Sequence, residues 1–487
     1  MSNPLSNLEP KSVFHYFGEF SKYPRPSKKE EKAVAYIESW AKEHNLELEK
    51  DKRGNIIIRK PATAGMENKQ SVCIQGHLDM VCVAEENYDF DFDNKGIEVY
   101  VDGDWVKAKK TTLGADNGIA IAIGMALLAS KDIPHPALEL LCTLDEETGL
   151  TGALELGTDL IKSKLLINID SEKEGVFTIG CAGGINTIAH YNYEADKEIP
   201  ANHQAYKVNV GGLRGGHSGI EINDGRANAS KLLIRIIWNS VDKFDLRLST
   251  FDGGTKHNAI PSSAVATVIV PNDKSSAFET YIKELEAIMQ KEFATKEPGL
   301  KVEASKTEMP KRVMTKDFQY KLIASFYVFP HGVLRMSPDI PDLVQSSSNF
   351  AIVETRENEV YVLTSQRSSV GTEKINIVNK VKAAFELGGA KVETTDGYPA
   401  WEPNVNSKLL DLSVKVYTDK FGTKPAIEAI HAGLECGLIG DKYEGMDMIS
   451  IGPNLHDVHS PAERLQISST KRIWDFLLEL LKNIPNK

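Results

Sequence analysis

At 487 residues the chain is longer than one core of about 100 to 200 residues holds, so two or three domains are expected. With 41% apolar and 26% charged residues, 36 glycines and 21 prolines, the composition is that of a folded globular protein and excludes a disordered or fibrous one. The balance of 57 basic against 68 acidic residues gives −11, and no Lys/Arg run stands out, which argues against nucleic acid or an anionic membrane and for a small-molecule or peptide ligand. The cysteines Cys73, Cys82, Cys142, Cys181 and Cys436 are odd in number, have no C-x-x-C spacing and lie mostly in apolar runs, as expected of reduced thiols. The start MSNPLSNLEPKSVFHYF has no basic segment followed by an apolar one, and no stretch of about 18 apolar residues occurs, so a cytoplasmic location is expected.

In chain order, residues 10–43 have a helical pattern, with Ala33, Ile37, Trp40 and Ala41 on one face and Ser27 as the expected N-cap. LELEKDKRGNIIIRK reads as a hairpin around Arg53-Gly54, and SVCIQGHLDMV as a strand buried on both faces. TTLGADNGIAIAIGMALLAS turns at Gly114 into a long apolar helix, and PALELLCTLDEETG and SKLLINIDSE are two further buried strands. Strands alternating with helices imply an α/β sheet. The strands AYKVNVGGLRGG, SAVATVIVP, LKVEASKTE and EVYVLTSQRSS then alternate in polarity between helices such as ASKLLIRIIWNSV and FETYIKELEAIMQKEF, which predicts a separate α+β layer. Its halves share a strand, polar turn and helix order, as after a duplication. SKLLDLSVKVYTDKFG and DMISIGP return to the first character. The expected organisation is therefore one discontinuous domain, 1–187 with 398–487, interrupted by a second, 188–397.

Chemistry concentrates at strand ends. In SVCIQGHLDMV, His77 and Asp79 are two residues apart and share a face, so one can bind while the other orients it; alone the tripeptide is an ordinary strand end. Asp116 in GADNG stands where an apolar helix begins and alone reads as an N-cap. Asp145, Glu146 and Glu147 end another apolar strand, where like charges are costly unless water or a cation neutralises them. Asp170 ends a third strand, and His456 and His459 follow a fourth. Ligands of open α/β sheets bind beyond the carboxyl ends of strands, so the four ends together point to one site. Two histidines with three carboxylates suit two divalent ions about 3.5 to 4 Å apart, one carboxylate bridging and a spare acid serving as general base.

GHLDMV, GADNGI, DEETGL, NIDSE and HSPAE, in this order and spacing over nearly the whole chain, resemble the M20 family of co-catalytic zinc peptidases. GGLRGGHSG, HNAIP, SQRSS and HAGLECG narrow the likeness to its Xaa-His (aminoacyl-histidine) dipeptidase branch. The resemblance implies a zinc-peptidase catalytic domain, a mixed sheet flanked by helices, interrupted by an inserted α+β lid. It makes His77, Asp116 and Asp170 ligands of one zinc and Asp116, Glu147 and His459 ligands of the other. His459 is preferred to His456 because it precedes Ser460-Pro461, as in the family motif. It further implies that Asp79 orients His77, that Glu146 is the general base, that His217 polarises the scissile carbonyl, and that Asn258 and Arg367 hold substrate oxygens. His431 and Glu435 resemble a family loop near the active site, with no role readable from sequence.

The expected activity is hydrolysis of dipeptides with a free C-terminus, including Xaa-His dipeptides such as carnosine, by a zinc-bridging hydroxide with Glu146 as base. Rivals are a same-fold tripeptidase, aminoacylase or non-specific dipeptidase, and a non-catalytic peptide-binding protein, which would be expected to lack the base or a ligand. The donor set accepts two ions of Zn²⁺, Mn²⁺ or Co²⁺. The expected partner is a small peptide, without nucleic acid or membrane, and the resemblance admits a homodimer, although so long a lid could complete the site within one chain.

Overall fold

A computed structural model describes residues 3–193, 195–196, 198–395 and 397–487. The chain divides into two compact units, one of residues 1–180, 403–429 and 434–487, the other of 181–402 with 430–433. The segment 188–397 lies inside the second unit, which begins earlier because Gly183–Asn192 is already a strand of its sheet.

The first unit is built on an eight-stranded mixed sheet. Its centre is Leu138–Thr143, Val72–His77, Leu165–Asn168 and Asp447–Ser450, neighbours in that order and mutually parallel. The first three are buried along their whole length, which explains apolar runs without alternation. The antiparallel hairpin Glu47–Lys50 and Ile56–Lys60 extends one edge.

Helix Ala115–Ala129 is buried from Asn117 to Leu128 and packs between strand Val72–His77 and helix Lys11–Phe20. The strand lets the helix approach through Gly76, where a Cβ would stand 2.3 Å from Asn117 Oδ1 and 2.5 Å from Ala120 Cβ. The segment 10–43 is two helices, Lys11–Phe20 and Glu31–Glu43, because Pro24 and Pro26 interrupt it. Ala33, Ile37, Trp40 and Ala41 are its buried face, as the periodicity predicts. Ser27 does not cap the second helix, which starts after Glu30 without a side-chain cap; its hydroxyl donates instead to Asp79 Oδ2 at 2.7 Å.

The second unit has a nine-stranded antiparallel sheet with helices Ala229–Phe244, Ser275–Glu292, Lys316–Val328 and Gly371–Leu387. Along His203–Gly211, Tyr206, Val208 and Val210 are buried while Lys207 and Asn209 are exposed, the period of a sheet covered on one face. Tyr191, Phe251, Phe326, Phe350 and Phe385 form the centre of its core. Among the described residues no helix is long and apolar enough to cross a membrane.

Candidate active site

The four parallel strands point their carboxyl ends the same way, so residues far apart in sequence meet. His77 closes its strand with its ring 1% exposed. Its Nδ1 faces Asp79, 3.1 Å from the backbone O and 3.3 Å from Oδ1. Its Nε2 looks the other way, 3.2 Å from Asp116 Oδ1, 3.5 Å from Asp170 Oδ1 and 4.0 Å from Glu146 Oε2. A ring held at Nδ1 by a carboxylate presents Nε2 as the donor atom. Asp79 also ties this strand end to the next loop: Oδ1 accepts the Glu146 N–H at 3.0 Å and Oδ2 the Glu147 N–H at 3.1 Å. Burial would raise its carboxyl, but His77, the Glu146 N–H and the Ser27 hydroxyl outweigh it and hold Asp79 down at about 2.

Asp116 presents one oxygen to each histidine, Oδ1 to His77 and Oδ2 to His459 Nε2 at 3.1 Å. It does not cap a helix: the N-cap is Gly114, and Asp116 itself has non-helical φ −79° and ψ 104°. His459 Nε2 is also 3.1 Å from Glu147 Oε2. His456 is in another environment, its ring tilted at 54° against Trp105 with the ring centres 5.2 Å apart. Two triads share Asp116, His77 with Asp116 and Asp170, and Asp116 with Glu147 and His459, and a third groups His77 with Glu146 and Glu147; the donor atoms of each lie within 4.8 Å of one another.

The electrostatics are those of anions crowded out of water. Burial, together with neighbouring carboxylates, pushes Asp170 up to about 6 and Glu146 well above the ordinary range. Hydrogen bonds to Asp116 and Glu147 lift His459 to about 11. Glu147 Oε1 is buried with no partner among the described residues. Imidazole and carboxylate donors, one carboxylate shared and one oxygen orphaned, fit a pair of borderline divalent ions. A fourth group, Glu30, Asp79 and Asp145, is different: its oxygens are taken by the N–H groups of Lys28, Asp145, Glu146 and Glu147 and by the hydroxyls of Ser27, Thr148 and Thr151.

Beneath the triads runs a buried polar chain of which the sequence singled out only Glu435. Glu435 Oε2 accepts from Gln75 Nε2 at 2.6 Å and from Thr143 Oγ1 at 2.7 Å; Gln75 Oε1 accepts from Asn168 Nδ2, and Asn168 Oδ1 from Ser450 Oγ, both at 2.5 Å. The available signal was a polar residue inside each of four otherwise apolar strands.

The second unit gathers the remaining candidates. Gly216–His217 pairs with Ala259–Ile260, which brings His217 beside Asn258. His217 Nδ1 accepts the N–H of Gly219 at 3.2 Å and of Ile220 at 3.1 Å, so the ring proton sits on Nε2. Burial and Arg367 keep His217 neutral by lowering its pKa. Arg367 lies opposite Ser347, donates to Tyr398 Oη at 2.7 Å, and has a buried Nε without a partner among the described residues. Ser347 Oγ is 2.6 Å from His431 Nε2, and burial, then Arg367, push His431 down to about 3.

The sequence pattern of the M20 peptidase dimerisation domain matches residues 208–297. The chain is 41% identical to the cytosol non-specific dipeptidase of Escherichia coli K12 over 99% of both chains. The crystal structure of aminoacylhistidine dipeptidase from Vibrio alginolyticus superposes with TM-score 0.93 at 39% identity, covering 99% of this chain and 98% of that one. An aminopeptidase from Bacillus cereus shares the fold at TM-score 0.57 and 15% identity, covering 98% of this chain and 99% of that one. With full-length identity at this level, the chain belongs to the M20 family of peptidases, hydrolases of the peptide bond.

Proposed function

We propose that this protein is a cytosolic dipeptidase acting on unblocked dipeptides, aminoacyl-histidine dipeptides such as carnosine among them. The observation that carries the reading is Asp116, whose two oxygens each face a different histidine, with Asp170 beside the first and Glu147 beside the second. Full-length similarity to two dipeptidases, one of them a cytosol enzyme, supports the substrate class and the location.

His77, Asp116 and Asp170 would hold one divalent ion and Asp116, Glu147 and His459 the other, zinc being the best match to the donors, with Mn²⁺ and Co²⁺ as substitutes. When bound, the ions supply Lewis-acid polarisation of water and of the scissile carbonyl. Glu146, the acid with a raised pKa left over from the two proposed ion sites, takes the proton of the attacking water and returns it to the leaving amine. His217, neutral with its proton on Nε2, donates to the carbonyl oxygen as negative charge develops there. Asn258 binds a substrate oxygen. Arg367 binds the free carboxylate through its planar fork, whose Nε has no other buried partner among the described residues. Residues 188–397 act in this reading as the lid that carries the substrate's polar contacts.

The test is a panel of dipeptides with carnosine, a tripeptide and an N-acetyl amino acid, assayed before chelation, after it, and after return of Zn²⁺, Mn²⁺ or Co²⁺. Dipeptide cleavage that chelation abolishes and metal restores is expected. Preference for the tripeptide or the N-acetyl substrate, or activity indifferent to chelation, would refute the reading.

A further inference from the structure

Glu463 is 2% exposed, and its carboxylate accepts four backbone N–H groups in a row. Oε2 takes Leu113 at 2.7 Å and Gly114 at 3.0 Å; Oε1 takes Ala115 at 2.8 Å and Asp116 at 3.3 Å. These are the residues that turn the chain into helix Ala115–Ala129, which has no side-chain cap of its own because its N-cap is Gly114, left-handed at φ 68°. Leu113 and Ala115 are fully buried, so no water could replace the carboxylate, and an unpaired buried N–H is costly. Arg25, also buried, holds the same turn, donating through Nη2 to the Gly114 carbonyl at 2.6 Å.

The clasp joins the two segments that matter most to the second triad. Glu463 lies four residues after His459, and its own N–H is bonded to the Ser460 carbonyl at 3.0 Å, so it is fixed within the His459 loop. Its side chain reaches the backbone of Asp116, whose non-helical φ and ψ aim the carboxylate at both histidines. No other side chain is bonded to the Asp116 N–H among the described residues.

We infer that Glu463 is a positioning residue of the metal centre: by clasping the N–H groups of Leu113–Asp116 from the His459 loop, it sets the separation of Asp116 and His459, and with it the affinity of the site they share for a divalent ion. The inference rests on the reading that Asp116 and His459 hold metal. A clasp that served folding alone would leave metal affinity untouched in any variant that folds.

The experiment uses the full chain, stripped of metal with a chelator and titrated with Zn²⁺, with the thermal midpoint of the metal-free form recorded alongside. Glu463→Gln keeps the size of the side chain but turns an N–H donor toward the N–H groups. It should raise the Kd of one Zn²⁺ by about 10-fold or more, as loss of an outer partner of a ligand does, and at saturating metal lower kcat with KM unchanged. Glu463→Asp, which keeps the charge on a shorter arm, should give an intermediate Kd and takes over the test should Glu463→Gln not fold. A folded variant binding Zn²⁺ within about two-fold of the parent, or failure of both variants to fold, assigns Glu463 to folding and overturns the inference. Asp116→Asn is the control: if it too binds Zn²⁺ as the parent does, the metal-site reading itself has failed, whereas loss of Zn²⁺ in Asp116→Asn without loss in Glu463→Gln sinks only the role of Glu463.

Discussion

Glu146 and Glu147 are adjacent, and both have their backbone N–H held by Asp79, yet their side chains enter different environments. Glu147 Oε2 meets His459 at 3.1 Å, while Glu146 comes only within 4.0 Å of His77 Nε2 and belongs to neither proposed triad. Glu146→Gln should therefore keep two metal ions per chain and lose about 10²- to 10⁴-fold in kcat, the usual size of general-base help. Glu147→Gln should lose a metal ion. Metal analysis beside steady-state rates checks both, and the opposite pairing would exchange the two roles. The histidines separate in the same way. His459→Ala removes an imidazole facing two carboxylates and should reduce stoichiometry to one ion, whereas His456→Ala removes a ring packed against Trp105 and should leave it at two.

At the scale of elements, the contact between strand Val72–His77 and helix Ala115–Ala129 brings His77 and Asp116 together, and it depends on the missing side chain at Gly76. A methyl group there would have to displace Asn117, whose Nδ2 donates to the Ile169 carbonyl at 2.6 Å, next to Asp170. Gly76→Ala should destabilise the chain by about 1 to 3 kcal/mol, an overpacking cost, and loosen metal binding because all three members of the first triad adjoin the displaced contact. Urea unfolding and Zn²⁺ titration of the same preparation measure the two effects, and a neutral result in both would show that the helix can shift freely. The elements themselves were largely legible. Apolar runs without alternation marked the buried parallel strands, and Ala33, Ile37, Trp40 and Ala41 marked a helix face. Ser27 was misleading because local spacing suggested a cap, whereas its hydroxyl is bonded to Asp79, fifty-two residues on.

For the whole molecule, the second unit carries a constellation of its own in His217, Asn258, Arg367, Tyr398 and His431. If Arg367 binds the free carboxylate of the substrate, Arg367→Ala should raise KM about 10- to 100-fold for unblocked dipeptides, the loss of a charge-assisted pair, and much less for the same dipeptides amidated at the C-terminus. Equal effects on both substrates would leave Arg367 as a partner of Tyr398 only.

By itself the sequence determined the kinds of element and most of the candidate site. Burial imposes period on apolar residues, and His, Asp and Glu at the ends of apolar strands are expensive unless a ligand requires them. The family motifs then named His77, Asp116, Asp170, Glu147 and His459 without any coordinates. Only the tertiary structure decided which residues stand behind these. Glu463 reaches the Leu113 N–H across 350 positions, and Glu435 reaches Gln75 across 360. A buried carboxylate leaves no periodic signature, because its partners are backbone N–H groups or single polar side chains brought to it by the order of strands in a sheet. That order was fixed by packing the strands beside one another, and spacing along the chain does not encode it.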